Sequence, residues 1–159
     1  MTHSPLVALA LRKAYLALHR RTDRAFEPFG ITADQFVLLT SLVREGDAIT
    51  QNELARRISS DPSTIRAMLV LLEKQGLVRR ESHPIDARSR SVRLTAKGIK
   101  LQRRMWDVSE PIRQSIHSAL EHDESETLVR CLLRVERALE SQQLSAVKQN
   151  LIPKHGVSP

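Results

Sequence analysis

Cysteine, aromatic residues and long apolar runs are what this chain has least of. A single cysteine, Cys131, excludes an internal disulfide and any cysteine-rich zinc site. One Trp, one Tyr and three Phe are too few to build a platform on which successive bases stack. That argues against single-stranded nucleic acid or RNA as the partner. No apolar run reaches the roughly 18 residues needed to cross a bilayer, and no charged-then-apolar leader opens the sequence. The expected location is the cytoplasm, with no membrane partner. The five glycines make no phosphate-cradling loop, no nucleophile elbow is present, and the cysteine has no base near it in sequence. His117 and His122 are five residues apart, not the three or four that share a helix face, and no His-Glu-x-x-His run occurs. Neither catalysis, nor a metal, nor a cofactor is expected. Acidic residues are also in deficit, 18 against 25 Lys and Arg, so the chain carries +7 and favours a polyanionic partner. Its 159 residues make one domain, or one domain with an extension.

What is present concentrates between Thr50 and Thr95. Thr50-Gln51-Asn52-Glu53 has the pattern of a capping box, in which Glu53 reaches back to the cap amide. Leu54, Ala55 and Ile58 then line one face of a short helix, which Ser59-Ser60 breaks. Asp61 and Pro62 open a second helix as N-cap and first residue. Ile65, Met68, Leu69 and Leu72 form its buried stripe, Gly76 ends it, and Ser63, Arg66, Ala67 and Val70 take the other face. Leu77-Val78-Arg79-Arg80 and Ser91-Val92-Arg93-Leu94 pair as a two-stranded basic wing around a loop with His83, Asp86, Arg88 and Arg90. A short helix, an exposed second helix and an arginine-bearing hairpin form a shape suited to a DNA groove.

This chain resembles the MarR (multiple antibiotic resistance regulator) family of bacterial transcription factors. The resemblance rests on residues 28–36, Thr50 to Ala55, Asp61 to Gly76, and Asp86-Ala87-Arg88 running into Leu94-Thr95-Ala96-Lys97-Gly98, in that order and spacing. It extends over about residues 6 to 140. It implies a dimer on a palindromic, double-stranded operator, released by a small aromatic acid, phenolic or heteroaromatic, or its thioester. The DNA-binding set is then Gln51, Ser63, Thr64, Arg66, Ala67, Val70, Arg79, Arg88 and Arg90. Arg88 or Arg90 suits a narrow minor groove, while Arg57, Arg79, Arg80 and Arg93 suit phosphates or only bias the field. The chain departs from the family where an arginine is common at Ala67 and where an acidic residue and an arginine are common at Val70 and Leu71. Base contacts made there by relatives do not transfer, and Ala67 and Val70 suit thymine methyls instead.

The expected fold is mainly α with a small β-wing: a winged helix-turn-helix over residues 30–95, flanked by helical dimerisation segments 1–29 and 96–145, with 146–159 a flexible tail. Ser4-Pro5 starts a first helix carrying Leu9, Leu11, Tyr15, Leu16 and Leu18 on more than one stripe, and Pro28 and Gly30 end it. Thr32 with Gln35 makes a second capping box, opening a helix whose Phe36, Leu39 and Val43 face the core. Thr95 caps a long helix with Leu101, Met105, Val108, Ile112, Ile116 and Leu120, which Pro111 kinks or breaks near residues 108–110. Asp123 with Glu126 caps the last helix, whose stripe is Leu128, Leu132, Val135 and Leu139, with Cys131 as small buried filler. Pairing the first and last helices of two subunits buries these stripes and gives a two-fold homodimer. The expected effector junction is lined by His19, Arg20, Phe36, Thr40, Met105 and Trp106: apolar walls, a cation for a carboxylate, and polar partners for a ring substituent. Each has a plainer reading as core or surface. A constitutive or architectural DNA-binding protein without effector, and a winged helix used for protein contacts, stay open as alternatives.

Overall fold

The computed structural model describes residues 4–45, 49–82 and 90–150. The chain divides into two compact units, one ending at Arg113 and one beginning at Gln114.

The first unit starts with α1, Ser4–Phe26, followed by a 3-10 turn over Glu27–Phe29 that Gly30 closes in the left-handed region at φ 64°. The second helix, α2 (Ala33–Glu45), begins as its sequence requires. The Gln35 amide donates to Thr32 Oγ1 (3.2 Å) and the Thr32 amide to Gln35 Oε1 (3.0 Å), a reciprocal capping box. The inward face of α2 is Gln35, Leu38, Leu39 and Leu42. Phe36 packs only partly against this core and Val43 is 41% exposed, so the expected stripe of Phe36, Leu39 and Val43 holds at Leu39 alone.

Next come β1 (Ile49–Thr50), α3 (Gln51–Arg57) and α4 (Pro62–Lys74). Thr50 caps α3 by accepting the Glu53 amide (3.2 Å). Glu53 does not reach back; its carboxylate binds Arg56 and Arg57 instead, so only half of the expected box forms. Ser59, in the break, adopts φ 49°. The end of α4 is a Schellman motif, with Leu77 N donating to Leu72 O and Gly76 N to Glu73 O. Gly76 takes the left-handed φ of 70° that this stop requires.

β2 (Val78–Ser82) and β3 (Arg90–Leu94) pair antiparallel, Val78 opposite Leu94 and Arg80 opposite Val92. The wing is not two-stranded: β1 adds to the other edge of β3 with Ile49 opposite Val92, giving the order β1-β3-β2. Ile49, Val78 and Val92 face a single core with Leu38, Leu39, Leu54, Ile65, Leu69 and Leu72. α5 (Ala96–Val108) closes that core with Met105. The helix breaks at Ser109, two residues before Pro111 and inside the expected window, and α6 runs from Glu110 to His117.

The second unit is dominated by α7, His122–Asn150. It starts earlier than expected: Glu124, not Glu126, closes the cap by accepting the Glu121 amide (2.8 Å). It also runs on through 146–150, which composition assigns to a tail. Cys131, expected to be buried, is exposed, as are Leu128, Leu132 and Leu139.

One glycine is required by close approach. A Cβ at Gly98, in the first turn of α5, would stand 2.0 Å from the Leu77 carbonyl oxygen, a backbone atom. Gly98→Ala is therefore expected to destabilise the fold by about 1–3 kcal/mol or more, read as a lower midpoint in urea unfolding; an unchanged midpoint would show that α5 can slide.

Candidate nucleic-acid interface

The helix-turn-helix presents α4 with one face in the core and the other in solvent. Asp61 builds its N-terminus: its carboxylate accepts the Ser63 hydroxyl, the Ser63 amide (2.7 Å) and the Thr64 amide (3.3 Å). The Ser63 hydroxyl bond, then those two amides, hold the Asp61 carboxyl below its ordinary 3.8. A depressed folded value means that the cap's contribution is present above about that pH and is lost as pH falls through the folded pKa. Ser63 thus spends both its hydroxyl and amide protons on Asp61. Thr64, Arg66 and Ala67 point outward and are exposed, and Val70 is half-buried. Arg66 has no acidic partner among the described residues, so its guanidinium stays available. Gln51, half-buried, begins α3.

The arginines of the wing divide by face. Arg80 points inward, and its Nε (2.9 Å) and backbone amide (3.2 Å) both donate to the Glu73 carboxylate of α4. Its side chain is only 18% exposed, so it ties helix to wing and is not free for phosphate. Arg79 and Arg93 face outward, Arg79 with Nε 2.8 Å from Glu81. Arg57 is held by Glu53 (2.8 Å). His83, Asp86, Ala87 and Arg88 lie outside the described residues, and Arg90 is described only as the first residue of β3.

One described cleft takes in two of the six residues expected around an effector. Phe36 and Thr40 line a cleft of about 590 Å³ between α2 and the end of α3, with Val37, Ser41, Arg44, Arg57 and Ile58. Thr40 accepts a hydrogen bond from Gln102 of α5 (3.2 Å). Met105 is fully buried in the core, so it lines no open cleft. Trp106 turns the other way, with the Arg113 guanidinium 4.0 Å over its ring. His19 bridges two carboxylates, Nδ1 to Asp23 (3.0 Å) and Nε2 to Asp34 (3.5 Å), while Arg20 is exposed on α1. The sequence pattern does not single out exposed Arg44 and half-buried Ser41, since nothing local marks them as facing the end of α3. Among the described residues, no cluster of three or more His, Cys, Asp or Glu could hold a metal ion, and no helix is long and apolar enough to cross a membrane.

Residues 31–89 match the sequence profile of the MarR family. The chain is 29% identical over 136 residues to the HTH-type transcriptional regulator PecS of Dickeya dadantii (strain 3937), spanning 84% of this chain and 82% of PecS. It is 30% identical over 112 residues to the HTH-type transcriptional regulator YdcH of Bacillus subtilis (strain 168), spanning 69% and 76% of the two chains. The structure of S. aureus MepR in complex with DNA superposes with a TM-score of 0.76 at 27% identity, covering 87% of this chain and 99% of MepR.

Because Arg80 bridges helix and wing, Arg80→Ala is expected to cost about 1–3 kcal/mol of folding stability, with Glu73→Gln less harmful. Urea unfolding of the two variants checks this; stability unchanged in Arg80→Ala would mean the bridge is dispensable.

Proposed function

This chain belongs to the MarR family of DNA-binding transcriptional regulators, and we propose that it is a homodimeric repressor of a palindromic operator, released by a small aromatic acid or its thioester. The observation that carries the DNA reading is the outward face of α4, where Arg66 stands without an acidic partner among the described residues. At the first turns of a helix set into a major groove, that guanidinium reaches a base edge, while Ala67 and Val70 meet thymine methyls. Thr64, Gln51 and Arg79 contact phosphates, Ser63 joins them once its hydroxyl turns from Asp61 to donate to a phosphate oxygen, and Arg88 or Arg90 of the wing enters the minor groove.

Dimerisation is supported by apolar surface left uncovered in one copy. On α1, Leu6, Val7, Leu9 and Tyr15 are each about half exposed or more, and α7 exposes Val129, Leu133 and Leu139 beside Arg130, Arg134 and Arg137. Patches of this kind are rare on monomers, and a second copy covers them. A two-fold then places two recognition helices about 34 Å apart, one turn of DNA.

Effector release rests on the α2–α3 cleft. Phe36, Val37 and Ile58 offer a wall to an aromatic ring, Thr40 and Ser41 offer hydroxyls, and Arg44 has no acidic partner among the described residues and is free to take a carboxylate. A ligand wedged there presses α3 relative to α2 and so moves the reading helix that α3 packs against. His19 and Arg20, on α1, and Met105 and Trp106, on α5, then act on the ligand only through the helices that carry them.

Arg66→Ala is expected to lose about 1–3 kcal/mol of operator affinity per half-site and to relax preference at one base pair in each. Anisotropy titrations against operator and scrambled duplexes decide this, because an equal loss on both would make Arg66 a phosphate contact. A thermal-shift screen of hydroxylated aromatic acids and their thioesters tests release. A true effector weakens DNA binding about 5- to 150-fold, and operator weakens the ligand by the same factor. Arg44→Gln should lower ligand affinity and spare DNA affinity measured without ligand. A ligand bound equally well with and without operator is no effector, and if nothing binds, the constitutive reading replaces this one.

A further inference from the structure

We propose that Arg79 and Arg93, directly opposite each other on the outward face of the wing's stem, hold one DNA backbone phosphate between them. The inference rests on the DNA-binding reading above and extends it to a residue, Arg93, on the central strand of the sheet.

Register carries the argument. Arg79 of β2 and Arg93 of β3 are cross-strand partners. Side chains so paired have Cβ atoms about 4.5–5.5 Å apart, and like charges directly opposite each other destabilise a sheet. The fold does little to relieve this. Glu81, two residues along the same face, engages Arg79 at Nε (2.8 Å), but Arg93 has no acidic partner among the described residues, so the stem keeps an excess positive charge. The inward face of the same strands behaves differently: Arg80 is neutralised by Glu73 and packed beside Val78 and Val92. Cationic surplus is therefore confined to the side in solvent, where Arg79 is 61% exposed. Two guanidiniums facing each other across a ladder present convergent N–H donors to a single tetrahedral anion, which removes the repulsion that the free protein carries. The hairpin continues directly from the end of α4, so a phosphate held here fixes the height of the wing on the duplex without reading its sequence.

The clamp makes free-protein stability and DNA affinity move in opposite directions. Arg93→Gln should raise the Tm of the protein without DNA by about one to three degrees. It should also weaken binding to operator and scrambled duplexes alike, by up to roughly eightfold per wing at 0.1 M salt, the value for a phosphate that Arg79 alone no longer neutralises. Arg93→Lys keeps the charge and should retain most of the affinity. The double variant, Arg79→Gln with Arg93→Gln, should lower the slope of log K against log salt by about one per wing, and so by about two for the dimer, because each pair shares a single phosphate. Full-length protein, differential scanning calorimetry and salt-series titrations supply the measurements. A lower Tm in Arg93→Gln, unchanged affinity, or a slope change near four for the dimer in the double variant would each overturn the clamp. If the unaltered protein binds no duplex with salt-dependent affinity, it is the DNA-binding reading that fails.

Discussion

Four elements meet at Thr95, and the position of the reading helix depends on how they are joined there. The Thr95 amide donates to Leu77 O (3.0 Å), its hydroxyl donates to Gly76 O (2.7 Å), and the same oxygen accepts the Gly98 amide (3.0 Å). One residue thus links the stop of α4, the start of β2, the end of β3 and the cap of α5. The contact is close enough that Gly98 has no space for a methyl group against Leu77. Wing and recognition helix consequently leave the junction at angles set by backbone atoms, and Glu73 with Arg80 reinforces the same geometry a turn away.

Charge is sorted by this frame. With Arg56 and Arg57 drawn to Glu53 and Arg80 drawn to Glu73, the unneutralised guanidinium on α4 is Arg66. A basic composition alone makes every arginine a DNA candidate. Pairing in the folded chain sets apart a buried, doubly held group such as Arg80 from Arg66 and Arg93, which have no acidic partner among the described residues, and from exposed Arg79, whose surface pair with Glu81 costs little to give up.

Features written into a few neighbouring residues were legible before any coordinates: the Thr32–Gln35 box, the Asp61-Pro62 start, the Gly76 stop and the break before Pro111. Each is a local match of side chain to backbone. Features that depend on distant partners were not. β1 is two residues long, and only its pairing with Val92 makes it a strand. The α2 stripe was rotated because Gln35, polar by type, is buried while its amide oxygen caps its own helix. Glu53 was misassigned because Arg56 and Arg57, three and four residues on, offer it charge that the backbone amide does not. Of the residues expected around an effector, Phe36 and Thr40 share a cleft, while Met105 and Trp106, neighbours in sequence, lie about 100° apart around α5.

The broken helix after Met105 has a use of its own. Pro111 has no amide to donate to the Asp107 carbonyl, and at the same joint Trp106 O accepts from Ser109 Oγ (2.8 Å) and an Arg113 Nη (2.6 Å). The guanidinium that makes this bond also covers the indole, and the chain has no other tryptophan. Its emission therefore originates at the joint alone, with a cation stacked on the ring that quenches or shifts the signal according to its distance. The protein carries a built-in optical reporter of whether α5 and α6 stay in register, readable in dilute solution without a label.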